Sequence, residues 1–241
     1  MALAIFDLDN TLLAGDSDYL WGLFLAEEGI VNREEYEREN ERFYREYKEG
    51  RLDIQEFMRF ALRVLKDHEP EDLLRWRERF VREKIEPIVP TAAVALVERH
   101  RAAGDTLLII TATNAFVTAP IAAHFGIPHL IASIPEEREG RFTGHLAGTP
   151  AFQAGKVERL RQWLSEEGGD LAGSHFYSDS HNDIPLLEQV ERPVAVDPDE
   201  ILEVEAVAWE QALEMIDRGE IQDAKTITGI LLAARRGAGS P

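Results

Sequence analysis

Four short apolar runs punctuate the chain: LAIF at 3–6, LLII at 107–110, HFYS at 175–178 and PVAV at 193–196. Each is bounded by polar or turn-forming residues, the pattern of a strand buried on both faces. Between them, apolar positions return at helical spacing in TAAVALVERHRAAG ending at Gly104, NAFVTAPIAAHFG ending at Gly126 and GKVERLRQWL starting at Gly155. Strands alternating with helices predict an α/β fold built on a doubly wound parallel sheet.

The stretch 16–86 breaks that alternation. EEYERENERFYREYKEG sets Tyr36, Phe43, Tyr44 and Tyr47 at helical spacing, and LDIQEFMRFALRVLKD opens with Asp53 as an N-cap and Glu56 three residues on. Consecutive helices without strands predict an all-helical insertion at 16–86 in a core made of 1–15 and 87–241. RFTGHLAG, within 140–148, reads as a small hairpin. The segment 223–236 reads as a terminal amphipathic helix followed by a frayed GAGSP tail.

Composition narrows the partners. The chain has 241 residues, 44% of them hydrophobic, with a net charge of −19. Such acidity opposes binding to nucleic acid or to an anionic membrane and leaves small phosphates as ligands, provided that a metal or a local lysine supplies positive charge. It serves equally as a solubility device. With no cysteine, disulfides, thiolate catalysis and cysteine-ligated metals are excluded. No basic segment leads into a long apolar one at the start, and no apolar run reaches the roughly 20 residues that span a bilayer. A cytoplasmic protein is expected; its oligomeric state is not fixed by these features.

In an open parallel sheet, ligands bind beyond the carboxyl ends of the strands. Asp7 and Asp9 follow the first strand, Thr111 follows LLII, and Asp179 and Asp183 follow HFYS in the run YSDSHND; Lys156 starts the helix after the hairpin. Singly, each has an ordinary reading: a turn for the D-x-D pair, an N-cap for the threonine, a solvated charge for the lysine. Their order, with every member at a strand end or a helix start, favours a shared site.

That ordered set, DLDNT, strand-Thr, Lys and SDSHND, resembles the four motifs of the haloacid dehalogenase superfamily, in its phosphoserine-phosphatase-like branch with a helical cap inserted after the first motif. The resemblance runs to about Val196. It implies an Mg²⁺-dependent phosphatase acting on a small phosphorylated metabolite. Asp7 would be the nucleophile that forms an aspartyl-phosphate, and Asp9 the general acid and base. The Asp7 carboxylate, the Asp9 carbonyl and Asp179 would hold the metal. Thr111 and the amide of Ala112 would bind phosphoryl oxygens, Lys156 would offset charge, and Asn182 would contact substrate. Asp183 would orient the metal's waters or Lys156. Asn10, where many relatives have Gly or Ser, fits a turn after the strand.

The resemblance also bears on the substrate. Asp16 stands where phosphoserine phosphatases contact the substrate amine, although GDSD reads equally well as a helix cap. The arginine with which those enzymes grip the serine carboxylate falls, without gaps over 53–66, on Ala61, and Arg59 and Arg63 lie on other helix faces. This departure favours an amino-alcohol phosphate without a carboxylate, histidinol phosphate first and phosphoserine second. Tyr19, Trp21, Phe43, Tyr44 and Tyr47 suit either an imidazole ring or the core of the cap. His124, His129 and His181 receive no function. A phosphotransferase using the same aspartyl-phosphate and a non-catalytic binding protein are the alternatives, the latter disfavoured by the intact acidic residues.

Overall fold

The computed structural model describes residues 2–205. The expected helix at 223–236 and the GAGSP tail lie outside them. In chain order the strands are β1 (Leu3–Phe6), β2 (Thr106–Asn114), β3 (His129–Ser133), β4 (Pro135–Arg138), β5 (Arg141–Leu146), β6 (His175–Ser178) and β7 (Arg192–Ala195). Five of them form a parallel sheet in the order β3-β2-β1-β6-β7, flanked by helices, while β4 and β5 pair as an antiparallel hairpin.

Every residue of β1 is buried, because it is the central strand, with Phe6 in register with Ile109 of β2 and with Tyr177 of β6. An unbroken apolar strand suits such a place, whereas the PVAV run, expected to be buried as well, falls in the edge strand β7, whose residues are exposed or half-buried. The sequence order reverses on either side of β1, so the chain leaving its carboxyl end enters the crevice where this architecture places ligands.

Between β1 and β2 the chain is helical, as expected: α1 (Ser17–Glu27), α2 (Arg33–Lys48), α3 (Ile54–Ala61), α4 (Arg63–Asp67) and α5 (Pro70–Phe80), followed by a π-helical turn at Val81–Ile85. Asp53 caps α3 by accepting from the amides of Gln55 and Glu56. The 53–66 run is not one helix, because it breaks at Leu62. Trp21 meets Phe80 edge-on at 5.1 Å and lies near Phe116, which ties α1 and α5 into the core beneath the sheet. Trp21 is 2% exposed and belongs to this core, which decides between its two expected roles.

The alternation resumes with α6 (Thr91–Ala103), which leads into β2, and continues with α7 (Ala115–His124), α8 (Ala154–Glu167) and α9 (Ile184–Leu187). Gly104 and Gly126 stand just past α6 and α7 with φ of 79° and 62°, a conformation that favours glycine. The hairpin turns at Glu139 and Gly140, earlier than 140–148 suggests. The strand β3, HLIAS, was not foreseen from the sequence; its extended form comes with its parallel pairing to β2. By themselves, residues 199–205 carry a short helix, α10 (Glu200–Glu205).

Candidate active site

Asp7 directly follows β1, and its amide donates to the carbonyl of Tyr177 at 2.9 Å, so the strand pairing itself aims this side chain. The chain then turns tightly. The carbonyl of Leu8 accepts from the amides of Thr11, Leu12 and Leu13, and Asn10 takes a positive φ of 56° while its amide bonds to Gly15. Asparagine tolerates that left-handed conformation better than most residues, which explains its presence in the turn.

Asp9 is clamped. One carboxylate oxygen accepts from the amide of Ser17 at 2.6 Å, and the other accepts from the Thr113 hydroxyl at 2.8 Å and, at a stretched 3.5 Å, from Thr111. Thr113 was not foreseen. The apolar run stops at Ile110, but β2 continues to Asn114 through a register shift that turns Thr111 and Thr113 toward Asp9. The alternating TAT of the sequence was the available signal.

Lys156, 3% exposed, lies between two acids, its Nζ 2.9 Å from Asp7 Oδ1 and 2.7 Å from the Asp183 carboxylate. Burial opposes its charge, but the attraction of Asp183 and Asp7 outweighs burial and raises its pKa, so it stays an ammonium. Gly155 lets it reach that place, because a Cβ there would collide with the carbonyl oxygen of Pro150. Asp183 also accepts from the Ser178 hydroxyl at 2.7 Å, and the Asn182 amide is held by Gln153 at 2.8 Å and by Ser180. Gln153 adopts a φ of 48°, rare for a residue with a side chain.

Asp179 follows β6. Its Oδ1 accepts from the Thr11 hydroxyl at 3.0 Å, while its own amide donates to the same oxygen of Thr11 at 3.1 Å. Burial first, then the nearby Asp183, lifts its pKa to about 6. Asp7 is likewise held well above the ordinary carboxylate range, by burial and by the repulsion of Asp183, Asp179 and Asp9 against the single attraction of Lys156. Four carboxylates thus share one cation. That deficit of positive charge fits a divalent ion held by the Asp7 and Asp179 carboxylates and the Asp9 carbonyl, hard oxygen donors of the kind Mg²⁺ prefers. Among the described residues no group of three or more His, Cys, Asp or Glu side chains forms a ready-made metal site. A set of two carboxylates and a carbonyl needs no such group.

A cavity opens on these residues. It is lined by Asp7, Asp9, Thr111, Ala112, Lys156, Asn182 and Asp183, and also by Asp16, Asp18 and aromatic rings that include Tyr19, Phe43, Tyr44 and Tyr47. Asp16 is the helix cap that one of its readings expected, with Oδ1 accepting from the amides of Asp18 and Tyr19 at 2.9 Å, and it also lines the cavity. Burial and the charge of Asp9 push its pKa up to about 7. Asp18, also raised by burial and by Asp16, was missed, since within GDSD nothing separates it from a loop acid. Tyr47 reaches across from α2 to bond Ser180 Oγ at 2.8 Å. Ala61, Arg59 and Arg63 do not line the cavity; Arg63 pairs with Glu35 instead. His124 and His129 pack edge-on against Phe125 and Trp163.

A carboxylate at the end of the central parallel strand, a second one two residues on, a strand threonine and a buried lysine define a haloacid dehalogenase-like hydrolase. The chain belongs to that family, whose profile matches residues 4–188. It is 45% identical over 208 residues to a histidinol-phosphatase of Neisseria meningitidis serogroup C, covering 85% of this chain and 94% of that one. It is 31% identical over 219 residues to phosphoserine phosphatase SerB1 of Mycobacterium tuberculosis, covering 90% and 70%. A crystal structure of a protein of unknown function from Bordetella pertussis superposes with a TM-score of 0.81 at 48% identity, over 85% of this chain and 94% of the other. Within the family the chain is a phosphatase of the phosphoserine-phosphatase-like branch. Among the described residues no helix is long and apolar enough to cross a membrane.

Proposed function

We propose that this phosphatase is Mg²⁺-dependent, works through a phosphorylated Asp7, and takes histidinol phosphate in preference to phosphoserine, with 16–86 acting as the cap over the site. The observation that carries the chemistry is the division of labour between two neighbouring acids. Asp7 is aimed by the strand and neutralised by Lys156, whereas Asp9 is turned aside and clamped by Ser17 and Thr113.

In this reading the Asp7 carboxylate attacks phosphorus, and the bond from phosphorus to the ester oxygen breaks as the new one forms. Asp9 gives its proton to the departing alkoxide. It then takes a proton from the water that attacks the phosphoryl group, which frees Asp7 and releases inorganic phosphate. The Thr111 hydroxyl and the Ala112 amide hold phosphoryl oxygens, and Lys156 screens the charge gathered there. The carboxylates of Asp7 and Asp179 and the carbonyl of Asp9 would hold Mg²⁺, which supplies further positive charge to those oxygens.

Two points support the substrate. A relative covered over nearly its whole length is a histidinol-phosphatase. Among the described residues Lys156 is the one basic side chain lining the cavity, and no guanidinium lines it to meet a substrate carboxylate.

The test is phosphate release with Mg²⁺ from histidinol phosphate, phosphoserine, other amino-alcohol phosphates and sugar phosphates, with Asp7→Asn and Asp9→Asn as controls. Histidinol phosphate should lead and both variants should be inactive. A phosphoserine lead would refute the substrate, and full activity in Asp7→Asn would refute the nucleophile. Acid-quenched enzyme should carry a phosphoryl group on Asp7.

A further inference from the structure

We infer that Asp18 is a specificity-determining residue: beside Asp16 it receives a second nitrogen of the substrate, so the cavity selects phosphomonoesters bearing two protonatable nitrogens, one of them on a flat ring. This inference rests on the phosphomonoesterase reading above and deepens it.

The two acids open α1 and face the same cavity, yet the protein satisfies them differently. Asp16 spends one oxygen on two backbone amides. Among the described residues Asp18 accepts a single, long 3.4 Å bond, from the Asn114 side-chain amide. Among the described residues neither makes an ion pair, and Lys156 is already shared by Asp7 and Asp183. A half-buried carboxylate that lines a cavity without a cationic partner is costly, and such groups persist where a ligand supplies the charge.

Asn114 shows that Asp18 is held in place. Its Oδ1 caps α7 by accepting from the amide of Val117 at 3.2 Å, and that bond fixes which way the amide group points. The NH₂ end is left facing Asp18. Asp18 is therefore oriented by the end of the strand that also supplies Thr111 and Thr113.

The rest of the lining names the ligand's other half. Tyr19, Phe43, Tyr44, Tyr47 and Phe57 bring ring faces and edges to the same space as the two acids. Rings suit a flat heterocycle and attract a cation over their faces. A ligand carboxylate would instead meet Asp16 and Asp18 as like charges. A phosphate ester with an ammonium for one acid and a ring N–H for the other uses every wall of the cavity.

The experiment compares wild type, Asp18→Asn and Asp18→Ala on histidinol phosphate, phosphoethanolamine and p-nitrophenyl phosphate, with melting curves for each. Loss of a charge-assisted bond should lower the kcat/KM ratio of histidinol phosphate over p-nitrophenyl phosphate by about 10- to 100-fold, mainly through KM. Phosphoethanolamine, with one nitrogen and no ring, should lose less. Histidinol, which has no phosphate, should bind wild type more tightly than Asp18→Asn by calorimetry, a comparison that needs no turnover and survives if Asp18→Ala folds poorly. An equal fall on all three esters, or equal histidinol binding by both proteins, would overturn the inference while leaving the phosphatase intact. Hydrolysis of none of the esters by wild type would overturn the phosphomonoesterase reading and this inference with it.

Discussion

Lys156 Nζ lies 2.9 Å from Asp7 Oδ1 although 149 residues separate the two, and both side chains are buried. The same ammonium also holds Asp183, so removing it strands two acids in a dry pocket. Breaking a buried pair by deleting one partner costs roughly 3–5 kcal/mol. Lys156→Met should therefore lower stability by about that much at pH 8. The loss should shrink at pH 5, where Asp7, with its raised pKa, takes up a proton more readily. Denaturant unfolding at the two pH values measures the difference, and phosphatase activity should fall about 100-fold or more with the loss of this charge.

Asp16 gives a pH dependence of definite sign. Its pKa rises from 3.8 to about 7 on folding, so across that interval the native state keeps a proton that the unfolded chain has released. Stability from this group is full below pH 4 and is lost as pH rises through 7. In metal-free protein the melting temperature should fall between pH 5 and 8, and less steeply in Asp16→Asn, since asparagine keeps the helix cap without the charge. An identical slope in the variant would contradict this assignment.

Tyr47 connects α2 to the loop after β6 through its bond to Ser180 Oγ, and its ring lies 6.2 Å from that of Phe152. Tyr47→Phe keeps the ring and removes the bond. A net loss of about 0.5–1.5 kcal/mol corresponds to a two- to tenfold lower kcat/KM, and steady-state kinetics would show it chiefly in KM.

Gly155 precedes Lys156 at the start of α8, and an added methyl group would press on a backbone oxygen that cannot rotate away. Gly155→Ala should shift the first turn of the helix and carry Lys156 off Asp7. Activity should drop at least tenfold, with destabilisation of about 1–3 kcal/mol by thermal melting, although alanine is the better helix former.

Much of the fold was legible because local pattern and tertiary placement agree. LAIF has no charge and no alternation, which suits the central strand it forms, and Asp7 follows where that strand ends. Asp53, Gly104 and Gly126 marked helix ends through backbone requirements that act over a few residues. The same locality hid β3, whose pairing with β2 gives HLIAS its extended form, and the break at Leu62, where a continuous pattern met a bend.

The sequence by itself therefore determined the parallel α/β scaffold, the run of helices between β1 and β2 and the acids at the strand ends, since each depends on spacing and on burial of neighbouring residues. It did not determine which side chains meet. Whether Trp21 packs on a ligand or edge-on against Phe80, whether Arg63 faces the cavity or Glu35, and whether Thr113 and Asp18 join the site depend on contacts between segments up to 104 residues apart. Distance along the chain carries no information about such contacts; the parallel sheet creates them by bringing the ends of β1, β2 and β6 into one crevice that residues of α1 and α2 also line.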